Sequence, residues 1–579
     1  MRRIPPSRVG ALAAALLATT AQIAPAHSAS PAPAPAPAPA ELLLTNGHVV
    51  TQDPAHPEAR FVAIGGGRVL AVGDDAGAAR WRGPATKVMD LKGQLVLPGF
   101  IDAHTHVLDG GGYLIHVGLR DARDLAAVQQ RVAAYGAAHP GTGWILGEGW
   151  SYGYPDVPGG LPTARMLDAA APDRPVYLGS AMAHAGWINS KAMALLGITK
   201  DTKDPPNGTF VRDAQGVPTG LLKEGADEWV KAHLPPPPAG DQAAALTAAM
   251  DEAARLGITR LVSAGWDWAA LPQLAAWEQQ GRLKTRFSIA YLNLPARDDA
   301  ALVSEVLAAK QRYHSDWLEA GAVKMVADGV IESHTAWLPQ GYADQPATTA
   351  QPFQTPALMT SAITRLNKAG LQVYVHAIGD GAIHEALDAF EAAQQAGAPA
   401  DLRNRIEHLE TPYAADMPRM ARLGVIASMQ PVMIYPKDQW MGMEGLWQRY
   451  AGDDRMSRAF ALRQLSAAGV ALAFSTDWPV SDLDPLLGIR KAVLRQAADG
   501  TPAGGWVPGE TISVAQAIRA YTLGAAFASH RDAEEGSLTP GKLADIVVLS
   551  RDITAIAPQE IPTAKPVMTL VGGRIVYQR

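Results

Sequence analysis

The sequence predicts an α/β fold: a (β/α)8 TIM barrel with a large insertion after its first strand, plus a small β-sandwich built from both chain ends. Three observations lead there. Through the middle of the chain, apolar strand-like runs alternate with Ala-rich helical stretches such as DQAAALTAAMDEAARLG and DGAIHEALDAFEAAQQAG, the rhythm of a parallel sheet with crossover helices. Those runs are GFIDAHTH, ITRLVSAG, RFSIAYLN, GAVKMVADG, LQVYVHAIG, RIEHLE, GVIASMQP and VALAFSTD, the number that closes a barrel. Both ends of the chain are instead short β runs broken by Gly and Asp. A doubly wound open sheet would more naturally carry a Gly-rich phosphate loop after its first strand, and none is evident.

In chain order, residues 1–29 read as an export signal. Arg2 and Arg3 give a positive start, VGALAAALLATT is a short apolar run, and small residues offer cleavage after Ala26 or Ala29. The run falls short of the ~20 apolar residues that span a bilayer. The expected protein is exported, periplasmic or secreted, without stable membrane insertion; an uncleaved anchor is the alternative. Residues 30–41 form a Pro/Ala linker, extended and solvated. Residues 42–97 supply the N-terminal part of the sandwich (ELLLTNGHVVT, FVAIGGGRVLAVG, TKVMDLKGQLVL), and residues 531–579 its C-terminal part (GKLADIVVLS, VMTLVGGRIVYQ). The barrel takes residues 98–530. Roughly 150 residues separate its first two strands, far more than such a connection needs. The excess, at about 115–240, is read as a subdomain over the barrel mouth that shapes the substrate pocket.

Composition removes several function classes. The formal charge of −6 is small for 579 residues, and no Lys/Arg-rich run follows residue 30, so a nucleic-acid partner has no electrostatic footprint. There is no cysteine, which excludes disulfides, thiolate metal sites and Cys nucleophiles. Hydrophobic residues at 48% and charged residues at 18% suit a globular chain. Nothing in the sequence decides against a homo-oligomer.

The chemistry begins at Asp102-Ala-His104-Thr-His106. Residues two apart on a strand face the same way, so both imidazoles can grip one cation from a rigid strand end. His376 near the end of LQVYVHAIGD, His408 near the end of RIEHLE and Asp477 at the end of VALAFSTD repeat the arrangement. Each follows an apolar run and precedes a loop, where a barrel exposes its active site. One such histidine alone is more often a hydrogen-bonded core residue; the recurrence at four strand ends favours a metal. With only N and O donors on offer, zinc is the default, and manganese or iron the alternatives.

Through LPGFIDAHTHV, HAGWINSKAM, VKMVADGVIESHTA, VHAIGDGAI, RIEHLE, FSTDWPV and GSLTPGKLADIVVL, spread in order over residues 42–579, the chain resembles the amidohydrolase superfamily. The resemblance is to the family 3 branch that includes N-substituted formamide deformylase. It implies that His104, His106 and Asp477 hold a buried metal, and that His376 and His408 hold a second, more exposed one. Lys324 stands where many members carry a bridging lysine carboxylated on its amine. An ammonium has no lone pair, whereas a carbamate offers two oxygens to a metal pair about 3.5–4 Å apart. The alternative is a cationic Lys324 that pairs with Asp328 or contacts substrate.

The implied cofactor is therefore one or two divalent ions. The implied activity is hydrolysis of a non-peptide amide-type C–N bond in a small molecule, an N-acyl, N-formyl or cyclic amide, with Asp477 as the catalytic proton carrier. His184 and Glu224 match family positions and are candidates for substrate contact, against packing beside Trp187 and a solvated helix-start Glu. His334 is a third candidate, though the family often has Arg there. Trp150, Trp266 and Trp478 are expected in loops near the mouth, where they line an apolar pocket or stabilise those loops; Asp380, Glu407 and Glu410 neighbour ligands and suit orienting the imidazoles. The rival readings are mononuclear deaminase or lactamase chemistry on this fold, and a catalytically silent binding or regulatory protein.

Overall fold

The computed structural model describes residues 38–141, 143–157, 161–181, 185–206, 208–235, 240–435 and 445–579. The chain divides into Met1–Ala38 and Pro39–Arg579, and the architecture is that of the second part. The expected export signal and most of the Pro/Ala linker lie outside the described residues, as does His184.

The predicted runs become β1 (Phe100–Thr105), β2 (Ile258–Ser263), β3 (Arg286–Leu292), β4 (Leu318–Val326), β5 (Val373–Ala377), β6 (Arg405–His408), β7 (Ile426–Met429) and β8 (Leu472–Phe474). They lie in one 8-stranded sheet in sequential order, each pair parallel. Strands such as β5 are apolar almost throughout because a barrel strand is covered on both faces. The sheet closes where β1 meets the turn after β8. Asp477 N–H donates to His104 O at 2.8 Å, and His106 N–H donates to Trp478 O at 2.7 Å.

Helices follow the strands, started by local caps. Asp299 accepts from Leu302 N–H at the head of Ala300–Arg312, and Thr355 with Pro356 opens Pro356–Lys368. Helix Asp241–Arg255 buries Leu246, Ala249, Met250 and Ala253 against the barrel, a spacing that keeps them on one face.

Both chain ends share one sandwich. A 4-stranded sheet drawn from residues 42–90 shares an apolar core with a 6-stranded sheet that mixes residues 48–98 with 546–578. Val96 lies opposite Val548 on neighbouring antiparallel strands. Buried ion pairs fasten this layer to the barrel: Arg260 to Glu535 at 2.6 Å and Arg286 to Asp545 at 2.6 Å.

The long β1–β2 connection folds into a 6-stranded sheet spanning residues 117–224, with its own core around Val132, Trp150, Val176 and Trp187. Among the described residues, no helix is long and apolar enough to cross a membrane.

Candidate metal centre

Barrel closure assembles the centre. The hydrogen bonds that join β1 to the end of β8 place Asp477 beside the two histidines. Its Oδ1 lies 2.9 Å from His106 Nε2 and 3.3 Å from His104 Nε2. These donor atoms all fall within 4.8 Å of one another, close enough to share one cation. His104 Nδ1–H donates to Glu407 Oε2 at 2.5 Å. That bond fixes the tautomer and leaves the Nε2 lone pair facing Asp477. Glu407 is held in turn by Arg405, whose Nε and Nη2 donate to it at 2.7 and 3.0 Å. His106 Nδ1 is buried without a hydrogen bond, and its ring stands edge-on to Trp266 at 4.9 Å.

His376 and His408 stand beside this group. Their rings lie 4.4 Å apart, and His408 is 5.0 Å from His104. Each spends one nitrogen on a protein oxygen: His376 Nε2–H on Gly329 O at 3.1 Å, His408 Nδ1–H on Gln430 Oε1 at 3.0 Å. The other ring nitrogen of each remains for a ligand. Lys324, 2% exposed, points its Nζ at His104 Nε2 from 3.5 Å. The anticipated alternative pairing of Lys324 with Asp328 is not formed. Asp328 instead accepts from the backbone N–H groups of Trp337, Ile378 and Gly379 at 2.8–3.0 Å.

The Amidohydrolase family model matches residues 87–577. The chain belongs to the amidohydrolase family. Over 93% of its length this amidohydrolase is 32% identical to protein LONG AFTER FAR-RED 3 of Arabidopsis thaliana, covering 91% of that protein. It is 28% identical to N-substituted formamide deformylase of Arthrobacter pascens, with 93% of this chain and 98% of the relative aligned. A metal-dependent hydrolase of Pyrococcus horikoshii superposes with a TM-score of 0.73 at 26% identity, covering 89% of this chain and 99% of that one. The amidohydrolase is accordingly a metal-dependent hydrolase of small molecules.

The donor set suits a divalent cation. Burial, then the neighbouring Lys324 charge, pushes His376 down to about 3. Burial, then His376, holds His408 well below the ordinary imidazole range. Both rings are thus neutral, the form with a lone pair to give. Burial would push the Asp477 carboxyl up, but His104 and His106 overturn it and hold Asp477 well below the usual carboxylate range. An anion flanked by imidazole nitrogens, with one imidazole nitrogen left orphaned, is a site built for positive charge.

A cavity of about 1340 Å³ opens above the centre. It is lined by all five predicted donors, by Lys324, and by Glu148, Tyr177 and Glu224 from the insertion, which therefore walls the pocket. Glu224 holds a left-handed backbone, φ 47°. Three of the candidates do not line the cavity. His334 faces away: its Nε2 pairs with Asp344 at 3.0 Å and its ring packs on Tyr342 and Tyr450. The αL turn at His334, φ 61°, directs it outward. Trp150 is fully buried in the insertion core, its indole N–H donating to Leu178 O, and Trp478 is buried against Gly110. Only Trp266 of the three lines the cavity.

Of the acids placed near ligands, Glu407 alone touches one. Asp380 pairs with Arg455 and Arg458, and Glu410 accepts from Trp447 Nε1–H at 2.6 Å. Sequence reading missed Arg405 and Gln430. Arg405 was findable, since residues 405 and 407 of one strand share a face.

Proposed function

We propose that this amidohydrolase cleaves a non-peptide amide-type C–N bond, an N-acyl, N-formyl or cyclic amide, using water activated at the His104–His106–Asp477 centre. The observation that carries the reading is the position of Asp477. Its Oδ1 stands between two imidazoles, its Oδ2 lies 4.0 Å from His408 Nδ1, and the residue lines the substrate cavity. His104, His106 and Asp477 would hold one divalent ion; His376 and His408 would hold a second. Bound there, such an ion lowers the pKa of water from about 15.7 towards about 7 and polarises a carbonyl.

Asp477 orients the attacking water by hydrogen bond and takes its proton. It then returns that proton to the leaving nitrogen, which an amide requires because an amide anion leaves poorly. Glu407 and Arg405 keep His104 in the tautomer this arrangement needs. Lys324 is proposed to carry a carboxyl group on Nζ. In support, it is buried at the ligand cluster with no carboxylate partner among the described residues, and burial pushes its amine down to about 8. The neutral amine is the form that adds CO2.

The test is metal analysis of the purified protein, followed by a screen of N-formyl and N-acyl compounds with and without chelator. Asp477→Asn is expected to abolish turnover while most of the metal stays bound. Full activity in that variant rejects the mechanism. Bound metal without turnover of any amide, lactam or ester favours the silent binding protein.

A further inference from the structure

Asp102 opens the Asp102-Ala-His104-Thr-His106 run, yet it is not one of the donors. It is fully buried in β1 and, two residues before His104, shares its face of the strand. What it touches is the other half of the donor set. Its Oδ1 accepts from Thr476 N–H at 3.1 Å and from His104 N–H at 3.2 Å, and its Oδ2 accepts from the Thr476 hydroxyl at 2.6 Å. One carboxylate thus joins the backbone of a histidine donor to the residue before Asp477.

The seam that Asp102 bridges is thin. β1 and β8 are the two end strands of the barrel sheet, and an isolated parallel bridge between Thr105 and Trp478 pairs the segments there. Thr476 is fully buried beside it, where an unpaired backbone N–H would cost free energy. A carboxylate accepts at both oxygens, which lets Asp102 serve three donors at once.

The hydroxyl carries the effect across Asp477. With its proton committed to Asp102, Thr476 Oγ1 accepts from Trp478 N–H at 3.2 Å. Ser and Thr close turns in this way onto the N–H two residues on. The residue inside this turn is Asp477, whose φ of 58° is left-handed, a conformation uncommon for a side chain other than glycine. Ser481 Oγ–H donates to the Thr476 carbonyl as well. Both neighbours of Asp477 are therefore tied, through one threonine, to Asp102.

We infer that Asp102 is a positioning residue of the metal centre. Acting through Thr476, it holds Asp477 in its left-handed turn against the His104 and His106 nitrogens, so that the donor set is in place in the metal-free protein. This rests on the reading of His104, His106 and Asp477 as donors to one cation.

The test uses cobalt(II) as the probe, added to the purified full chain. Chelator competition reads its affinity, the visible absorption band reads the ligand set, and urea unfolding of the metal-free protein reads stability. Thr476→Val nearly keeps the shape and loses the hydroxyl. It is expected to lower cobalt affinity about tenfold or more and to move the band towards that of Asp477→Ala. Thr476→Ser keeps the hydroxyl and should restore the wild-type band, with affinity within about twofold. Asp102→Asn, which turns one acceptor into a donor, should follow Thr476→Val and provides a second route should that variant not fold. A valine variant that loses stability but keeps the wild-type affinity and band overturns the inference, as does a serine variant as defective as the valine. Should Asp477→Ala itself match the wild type in affinity and band, the donor reading falls and the inference with it. An altered Asp477→Ala beside an unaltered Thr476→Val defeats the positioning role alone.

Discussion

Glu407→Gln isolates the role of the residue behind the ligand. In the wild type His104 Nδ1–H donates to a fully buried carboxylate at 2.5 Å. A neutral amide oxygen in its place keeps the geometry but loses the negative charge behind the ring that strengthens Nε2 as a metal donor. Changes of this kind typically lower metal affinity by about 10–100-fold, or about 1.4–2.8 kcal/mol. The same substitution removes the charge partner of Arg405, which is itself fully buried. Breaking a buried pair costs about 3–5 kcal/mol of folding stability. The lower end is expected, because Arg405 Nη2 still donates to Ala103 O and Ser428 Oγ at 2.6 and 2.9 Å. The two effects separate in the double variant Arg405→Met/Glu407→Gln, which should regain much of the stability and none of the affinity. Chelator competition measures the affinity, and urea unfolding of the metal-free proteins measures the stability. A Glu407→Gln protein that binds metal within twofold of wild type would refute the claim that this bond tunes His104.

Three further outcomes follow from the structure. A Cβ at Gly110 would come 2.2 Å from the Trp478 ring, so Gly110→Ala should displace Trp478 and with it Asp477. The expected result is a loss of kcat of at least tenfold and about 1–3 kcal/mol of stability from overpacking, read by steady-state kinetics and thermal melts. Glu535 is pushed up by burial, but Arg260 overturns that and holds it at about 2 against an ordinary 4.5. A depressed folded-state pKa contributes stability that is present above pH 4.5, so stability should fall as the pH drops from 4.5 towards the folded-state value. Glu535→Gln should flatten that part of the unfolding profile, and an unchanged slope would reject the assignment. Removal of metal should lower the melting temperature, and zinc added back at 100 times its Kd should restore about 2.7 kcal/mol; a melting curve indifferent to chelator contradicts a resident ion.

The barrel was legible because its signals are local and periodic. Eight apolar runs, each ended by turn residues, became eight strands, and Asp102-Ala-His104-Thr-His106 stood where strand periodicity put it. The shared sandwich was legible from its Gly-punctuated β runs. Residue roles at the mouth were less so. Trp150 and Trp478 carry the same side chain as Trp266 in similar Gly- and Pro-rich surroundings, and only packing decides that two are core and one lines the cavity. His334 lies in a motif that resembles a binding loop, yet a left-handed turn aims it at Asp344.

Alternation also fails at the ligands themselves, for a physical reason. Glu407 and His408 are consecutive, and in an ideal strand they would face opposite sides, yet both serve the centre. The left-handed backbone at His408, φ 72°, and Leu409, φ 52°, turns the second residue inward, and Asp477 at φ 58° does the same after β8. Each such non-Gly residue costs on the order of 1–3 kcal/mol, so the strain must be imposed by structure around it. At Asp477 the imposing structure is known: its N–H is bonded to His104 O, the contact that closes the barrel. Closure and assembly of the centre are therefore one event. An open sheet would still present His104 and His106 as a pair, but without Asp477 to complete the donor set it would bind metal weakly. A chain in which that contact is weakened should lose metal affinity and barrel stability together.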